Sequence, residues 1–351
     1  MRMDNQVTIG MDVSDKRSHI VVLDEHGEVV VEDSVPTRKP AMRKRLSGFA
    51  GARIAIEVGP HSPWLSRVLA DMELEVIVAN PRRVGLIYGN DRKSDKQDAL
   101  ALARLARFDP ALLHPVRHRR EDTQAVLAIL RAREALVRSR TLLINSVRGL
   151  VKASGGRLPK CSSESFHRHI DDVPELLRDA VAPTMDVIEC TSARIAEQDR
   201  LVHELCCDVY PETEMFTVID GVGDITALTF LLTIEEPGRF RSSRQVGAYL
   251  GLRPRRDQSG EVDKELPITK AGDNRVRRLL VQAAHRILGP FGKDTDLRRW
   301  GLRLVERGGR GAKRKAVTAV ARKLAVLMHR LWVTGEVYEP LRRAQPDDQT
   351  V

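Results

Sequence analysis

The sequence predicts a mixed α/β N-terminal domain, a central helical arm and a mainly α-helical C-terminal domain. Three observations predict it. Strand-period and helix-period segments alternate up to residue 110, heptad spacing of apolar residues replaces them up to residue 209, and the remainder reads as helices punctuated by glycines. For 351 residues, two or three domains are the expectation. We place them at 1–110, 111–209 and 210–335, followed by a disordered tail, 336–351, in which Pro and Asp are frequent.

In the first domain, Val7 to Val13 reads as a strand, Ser14 to Arg17 as a turn and Ser18 to Leu23 as the antiparallel partner strand. Glu25-His26-Gly27 turns the chain into a third strand, Val29 to Glu32. Helix-like stretches from Pro40 to Phe49 and Pro63 to Met72 precede the strands Arg53 to Glu57 and Leu74 to Val78, and a last helix runs from Asp95 to Arg107. The order βββαβαβα is an α/β pattern with a mixed sheet, the order found in RNase H-like domains.

The arm begins with a long helix from about Glu121 to Gly155-Gly156. Ile129, Leu136, Leu143 and Leu150 recur every seven residues, flanked by Leu130, Val137, Ile144 and Val151. Ala125, Ala132, Ser139 and Ser146 form a small-residue row beside them, so a coiled-coil arm with a close partner is expected. Val181, Ile188, Ile195 and Val202 repeat at the same interval in the next helical region. An antiparallel hairpin in cis and dimerisation through the same stripe both satisfy the pattern. The opposite face carries Arg131, Arg133, Arg138, Arg140, Arg148 and Lys152 against Glu134, a surface suited to nucleic acid.

In the third domain, Phe216 to Leu231 reads as helix, hairpin and helix around Gly221-x-Gly223, a helix-hairpin-helix-like pattern whose exposed amides can hold a DNA phosphate. Val246 to Gly260 reads as helix, turn and loop, with Arg253, Arg255 and Arg256 placed to cradle a phosphate beside Ser259. Lys270 to Arg275 then caps a helix bearing Val276, Leu279, Leu280, Ala283, Ala284 and Ile287 on one face, and a basic amphipathic helix follows from Lys313 to Leu331. The net charge of +10 is concentrated here: from Lys270 to Arg330 there are 17 Lys and Arg against four acids. Such a segment attracts phosphate backbones without reading sequence, and Lys270, Arg275, Arg277 and Arg278 join Arg131 and Arg138 as candidate nucleic-acid contacts.

Composition narrows the classes. Aromatics make up only 4%, which disfavours recognition by base stacking alone. The four cysteines lack CxxC spacing, so a zinc site or disulfide framework is not expected. No run of 18 apolar residues occurs, and a cytoplasmic, nucleoid-associated protein with no membrane partner is the expectation.

Four carboxylates carry the chemistry. Asp12 sits on an apolar strand, Glu57 ends the strand expected to run parallel to it, and Asp95 and Asp98 are three apart on one helix face. Gathered together, such groups repel and call for a cation. Mg²⁺ is suited to oxygen ligands at roughly 2.0–2.1 Å, and a metal pair assists in-line phosphodiester displacement. Ser259-Gly260, by contrast, is foremost turn vocabulary, with no general base beside it in sequence.

Gly10-Met-Asp12-Val, Ile56-Glu57-Val-Gly-Pro60 and Lys93-Ser-Asp95-Lys-Gln-Asp98-Ala resemble the N-terminal domain of the DEDD-type insertion-sequence transposases, the bridge-RNA-guided DNA recombinases. Ile219 to Gly223, Tyr249-Leu-Gly-Leu-Arg-Pro254 through Ser259-Gly260, and Thr269-Lys270-Ala-Gly272-Asp with Arg277-Arg278 resemble the family's C-terminal transposase domain. The resemblance spans about Val7 to Arg330; it departs at Asp220, where the family usually has Pro. It implies a RuvC-like fold in which Asp12, Glu57, Asp95 and Asp98 bind Mg²⁺, and a nucleophilic Ser259 that forms a transient phosphoserine link to DNA. It also implies a structured bridge RNA pairing with donor and target DNA, and a homo-oligomer, dimer or tetramer, with the site completed between domains of different subunits. The alternative is a metal-dependent RuvC-like nuclease of Holliday-junction-resolvase type, with water as nucleophile.

Overall fold

The computed structural model describes residues 7–81, 94–259 and 262–342, with the side chains of Asp257, Ser259 and residues 262–265 outside it. The chain divides into two compact units, residues 1–120 and 121–351. Among the described residues, no helix is long and apolar enough to cross a membrane.

In the first unit, β1 (Thr8–Asp12), β2 (Arg17–Leu23), β3 (Val29–Pro36), β4 (Arg53–Glu57) and β5 (Glu75–Ala79) form one sheet in the order β3-β2-β1-β4-β5. β1 pairs antiparallel with β2 and parallel with β4, so the sheet is mixed as the sequence predicts. The third strand runs four residues past its predicted end, because β2 offers partners as far as Arg17↔Pro36. Alternation sorts the strands' side chains. Ile9, Met11, Ile54 and Ile56 pack with Met42 and Leu46 of α1 (Lys39–Leu46) and Leu65 and Leu69 of α2 (Ser62–Ala70). On the opposite face lies α3 (Asp95–Phe108), with Ala55, Ile77 and Ala79 against Leu102 and Ala106, and Val21 and Leu23 against Ala99 and Ala103.

The second unit opens with α4 (Glu121–Ala153) and α5 (Glu175–Glu204). They pair antiparallel: Arg133 contacts Asp199, Arg140 reaches Ser192, and Ile144, Val147 and Val151 share a core with Val181, Met185 and Ile188. The apolar stripe is therefore covered in cis. The seam differs from the predicted one: Leu130, Ile144 and Val151 are buried, Leu150 is exposed, and the small-residue row Ala125, Ala132, Ser139 and Ser146 faces solvent. A helix drifts relative to a strict heptad, so a row one position away became the contact line.

Beyond a π-turn, Leu205–Val209, come α6 (Glu214–Thr217), α7 (Asp224–Ile234), α8 (Arg244–Tyr249), β6 (Pro254–Ser259), β7 (Val262–Ile268), α9 (Asn274–Leu288), α10 (Asp296–Glu306) and α11 (Ala312–Thr334). α7 is almost wholly buried and forms the heart of a core shared by Val276, Leu280 and Ile287 of α9 and Val320, Leu324 and Met328 of α11. Leu127, Leu130, Val202 and Cys206 root the α4–α5 hairpin in the same core. Two expectations are corrected. The segment after Arg253 is an antiparallel β-hairpin rather than a loop, started by Pro254 at the edge position where a missing N–H is tolerated. The tail expected to be disordered from 336 is fixed as far as Arg342: Glu336 pairs with Arg330 and Arg342, and the Asp296 N–H donates to the Pro340 carbonyl at 2.7 Å. Residues 343–351 lie outside the described residues.

The contact between β1 and α3 is set by Gly10. A Cβ built there would stand 1.9 Å from the Ala99 carbonyl oxygen and 2.6 Å from the Ala103 nitrogen, both backbone atoms. Gly10→Ala should therefore push α3 off the sheet and cost about 3 kcal/mol, an overpacking penalty, read as a lowered urea midpoint.

Candidate functional site

Three elements converge on the carboxylates. Gly10 and Asp12 share the face of β1 that looks toward α3, and Ala55 and Glu57 share that face of β4. The parallel register Met11↔Ile56 sets Asp12 and Glu57 side by side at the C-terminal ends of neighbouring strands. The first turn of α3 supplies Asp95 and Asp98, and Ser94 caps it by accepting from the Gln97 N–H at 3.3 Å. Acidic residues in a first helical turn also suit the helix dipole.

Asp12 is close enough to feel the other three carboxylates. Burial pushes the Asp12 carboxyl up to about 6 from an ordinary 3.8, with further upward pushes from Asp95, Asp98 and Glu57 and an opposing pull from His19. His19 is the cross-strand neighbour of Asp12, and its Nε2 stands 3.6 Å from an Asp95 oxygen. Among the described residues, no three acidic, histidine or cysteine side chains are grouped closely enough to hold an ion. The donor set nonetheless fits a hard divalent cation: it is all oxygen, supplied by four carboxylates.

Sequence reasoning missed two neighbours. His19 was legible once β2 was paired with β1, since the register Asp12↔His19 places it opposite. The second is a strap: Trp64 Nε1–H donates to His61 Nδ1 at 3.2 Å, which leaves His61 Nε2–H to donate to Asp15 at 3.0 Å. Asp15 follows β1 and His61 follows β4, so the strap ties the two loops beside Asp12 and Glu57.

The basic candidates divide. Arg253, Arg255 and Arg256 are exposed, the latter two on β6, whose last residue is Ser259. Lys270 is exposed and holds a left-handed φ of 55°, its N–H donating to the Gly251 carbonyl at 3.1 Å. A non-glycine residue in that conformation is locally strained. Arg131 is exposed, whereas Arg138, Arg275 and Arg278 are all paired with Glu134. Arg277 is corrected: it is buried, donating to the carbonyls of Leu250 at 3.0 Å and Ala271 at 2.8 Å and to Asn274 Oδ1. On the arm's basic face, Arg140 is likewise buried, bonded to Ser192 and Glu164, and Arg148 caps the Leu158 and Pro159 carbonyls. Charge counted along a sequence cannot distinguish a surface cation from one spent on internal carbonyls.

Gly221 has a φ of 83° and faces α9, where a Cβ would meet the Ala283 carbonyl at 3.0 Å; Gly223 stands at the N-terminus of α7. The helix preceding this turn, α6, is a single turn that ends at Thr217. Asp220, the family departure, accepts from the Lys293 N–H at 2.9 Å.

A family model described as "Transposase" matches residues 9–154, and one described as "Transposase IS116/IS110/IS902 family" matches residues 213–294. The chain is 30% identical to "Putative transposase y4qE" of Sinorhizobium fredii over 285 residues, covering 79% of this chain and 70% of that one. It is 27% identical over 345 residues to "Transposase for insertion sequence element IS1111A" of Coxiella burnetii, covering 94% and 90%. Against "Transposase for insertion sequence element IS1328" of Yersinia enterocolitica it is 28% identical over 293 residues, covering 80% and 84%. These similarities define a DNA transposase, an enzyme whose partner is DNA. The chain belongs to the IS116/IS110/IS902 family of insertion-sequence transposases, and a transposase domain of DEDD type suggests dependence on a divalent metal.

Two outcomes follow from this geometry. A carboxyl raised above its ordinary value favours the folded state when protonated, and that contribution is lost as pH rises through about 6. Asp12→Asn should therefore raise the melting temperature above that pH in the absence of metal. It should also abolish any rise induced by a divalent metal, a rise that in the parent chain should shrink as pH falls through the same range. Separately, Arg277→Met strands the buried Leu250 carbonyl and removes a donor from the partly buried Ala271 carbonyl, and should cost about 1–3 kcal/mol, while leaving the salt dependence of DNA binding unchanged.

Proposed function

We propose that this transposase cuts and rejoins DNA through Ser259, with Asp12, Glu57, Asp95 and Asp98 holding Mg²⁺ in an RNase H/RuvC-like domain. The observation that carries the reading is the half-buried Asp12 carboxyl, raised to about 6 beside three further carboxylates at the ends of β1 and β4 and the start of α3. The sheet order β3-β2-β1-β4-β5 supports the fold assignment. When bound, the metal supplies Lewis-acid polarisation of a scissile phosphate. The protein's own contribution is to hold four oxygen-bearing side chains on one face and to offer a hydroxyl. Attack by Ser259 Oγ forms an O–P bond as the phosphodiester P–O bond breaks, leaving a phosphoserine link and a free DNA hydroxyl that later reverses the step. Arg253, Arg255 and Arg256, next to Ser259 in sequence and two of them on its strand, are suited to charge developing on the phosphate.

A structured guide RNA pairing with donor and target DNA, a dimer or tetramer, a coiled-coil arm, a helix-hairpin-helix contact at Gly221 and Gly223, and a nucleoid-associated location complete the proposal. They rest on the motif resemblance together with the basic C-terminal third. Denaturing gels of cleavage reactions run with Mg²⁺ test the chemistry. The parent chain should carry covalently attached DNA, and Ser259→Ala should carry none. Asp12→Ala should lose both adduct and cutting, by about 100-fold or more given the usual weight of electrostatic stabilisation. Continued strand cutting by Ser259→Ala without an adduct would instead favour water as nucleophile.

A further inference from the structure

We infer that Glu134 occupies an anion site built for a DNA phosphate, holding its arginines in place until the DNA backbone displaces the carboxylate. The inference rests on reading this chain as a DNA-binding transposase. Glu134 lies on α4, and Arg138, one turn later on the same helix, reaches back to its Oε1. From α9, Arg278 reaches the same oxygen, and Arg275 Nη2 stands 2.8 Å from Oε2. Arg131 and Asp273 are both close enough for their charges to act on Arg275, with opposite sign. One carboxylate thus answers three guanidinium groups, a formal excess of +2.

A salt bridge that merely joined α4 to α9 would need one of these arginines. Planar guanidinium forks bind carboxylate and phosphate by the same geometry, and a phosphate offers more acceptor oxygens. Here the difference is visible: Arg275 Nη1 is buried and has no hydrogen-bond partner among the described residues, a donor that the two-oxygen carboxylate leaves unused. The site also opens outward, with the side chains of Arg138 and Arg278 63% and 45% exposed. Burial pushes the Glu134 carboxyl up, but Arg278, Arg275 and Arg138 outweigh it and hold it below its ordinary value, so an anion stands there at neutral pH. DNA is the occupant because it is the polyanion on which a transposase acts.

Binding of the full chain to a non-cognate DNA duplex, followed by fluorescence anisotropy across a salt series, tests the idea. Glu134→Gln should bind several-fold tighter at low salt and steepen the plot of log K against log salt by roughly 0.9 for each additional phosphate engaged. Arg278→Ala, which leaves Glu134 paired with Arg275 and Arg138, should flatten that plot by a similar amount. Equal or weaker binding by folded Glu134→Gln overturns the inference. Should that variant fail to fold, an unchanged slope for Arg278→Ala overturns it instead. An RNA duplex run in parallel should respond less to Glu134→Gln than DNA; a larger response would overturn the choice of DNA. If the parent chain shows no salt-dependent DNA binding, the reading of a DNA-binding transposase is what fails.

Discussion

The closeness of α3 to β1 is the constraint on which the carboxylate cluster depends. Gly10 leaves no room for a side chain between the strand and the Ala99–Ala103 backbone, and the small residues Ala99, Ala103 and Ala106 line the helix where it meets the sheet. A helix held this near the strand delivers its first turn to the strand's C-terminal end. Asp95 and Asp98 come near Asp12 for that reason, and strand alternation brings Glu57 to the same face. Burial does most to raise the Asp12 carboxyl, and the crowding by Asp95, Asp98 and Glu57 raises it further. Folding energy from the two apolar faces of the sheet offsets that repulsion, which is how a strained set of charges persists on a stable scaffold.

The second unit uses arginine for two different purposes. Arg277 and Arg140 are buried and serve carbonyls and side chains inside the fold, while Arg133 pairs with Asp199 across the helical hairpin. Arg255, Arg256 and Lys270 remain on the surface, on or beside the hairpin that carries Ser259. That hairpin and the loop before α9 are stitched together: the Thr269 N–H donates to Arg253, the Lys270 N–H to Gly251, and Arg277 spans Leu250 and Ala271. An internal arginine therefore fixes the platform from which exposed cations project. The arm is rooted in the same way, its base sharing the C-terminal core through Leu127, Leu130 and Val202.

Most of the first unit was legible because its elements are short, strongly patterned and local. The predicted strand Arg53–Glu57 matches β4 end to end, and the helix beginning at Asp95 differs from α3 only by the addition of Phe108. Where prediction missed, a partner decided the outcome. β3 extends to Pro36 because β2 is there to bond it, and the arm's contact line shifted because α5 packs against a neighbouring row. The β6–β7 hairpin was missed because Arg255, Arg256, Asp257 and Gln258 carry no apolar alternation, so its pairing is not written in hydrophobic pattern.

By itself, the sequence determined the mixed α/β order of the first unit and the helical character of the rest, and it singled out the four carboxylates as candidates. Residue type and period are local properties, and these conclusions need nothing more. Only the tertiary structure decided that Asp12 is half-buried, that His19 opposes it, that a His61 strap joins the loops beside it, and that Arg277 is buried while Arg255 is exposed. Burial and pairing depend on residues far apart in the chain, and a charge acquires its chemical role from the groups that folding brings against it.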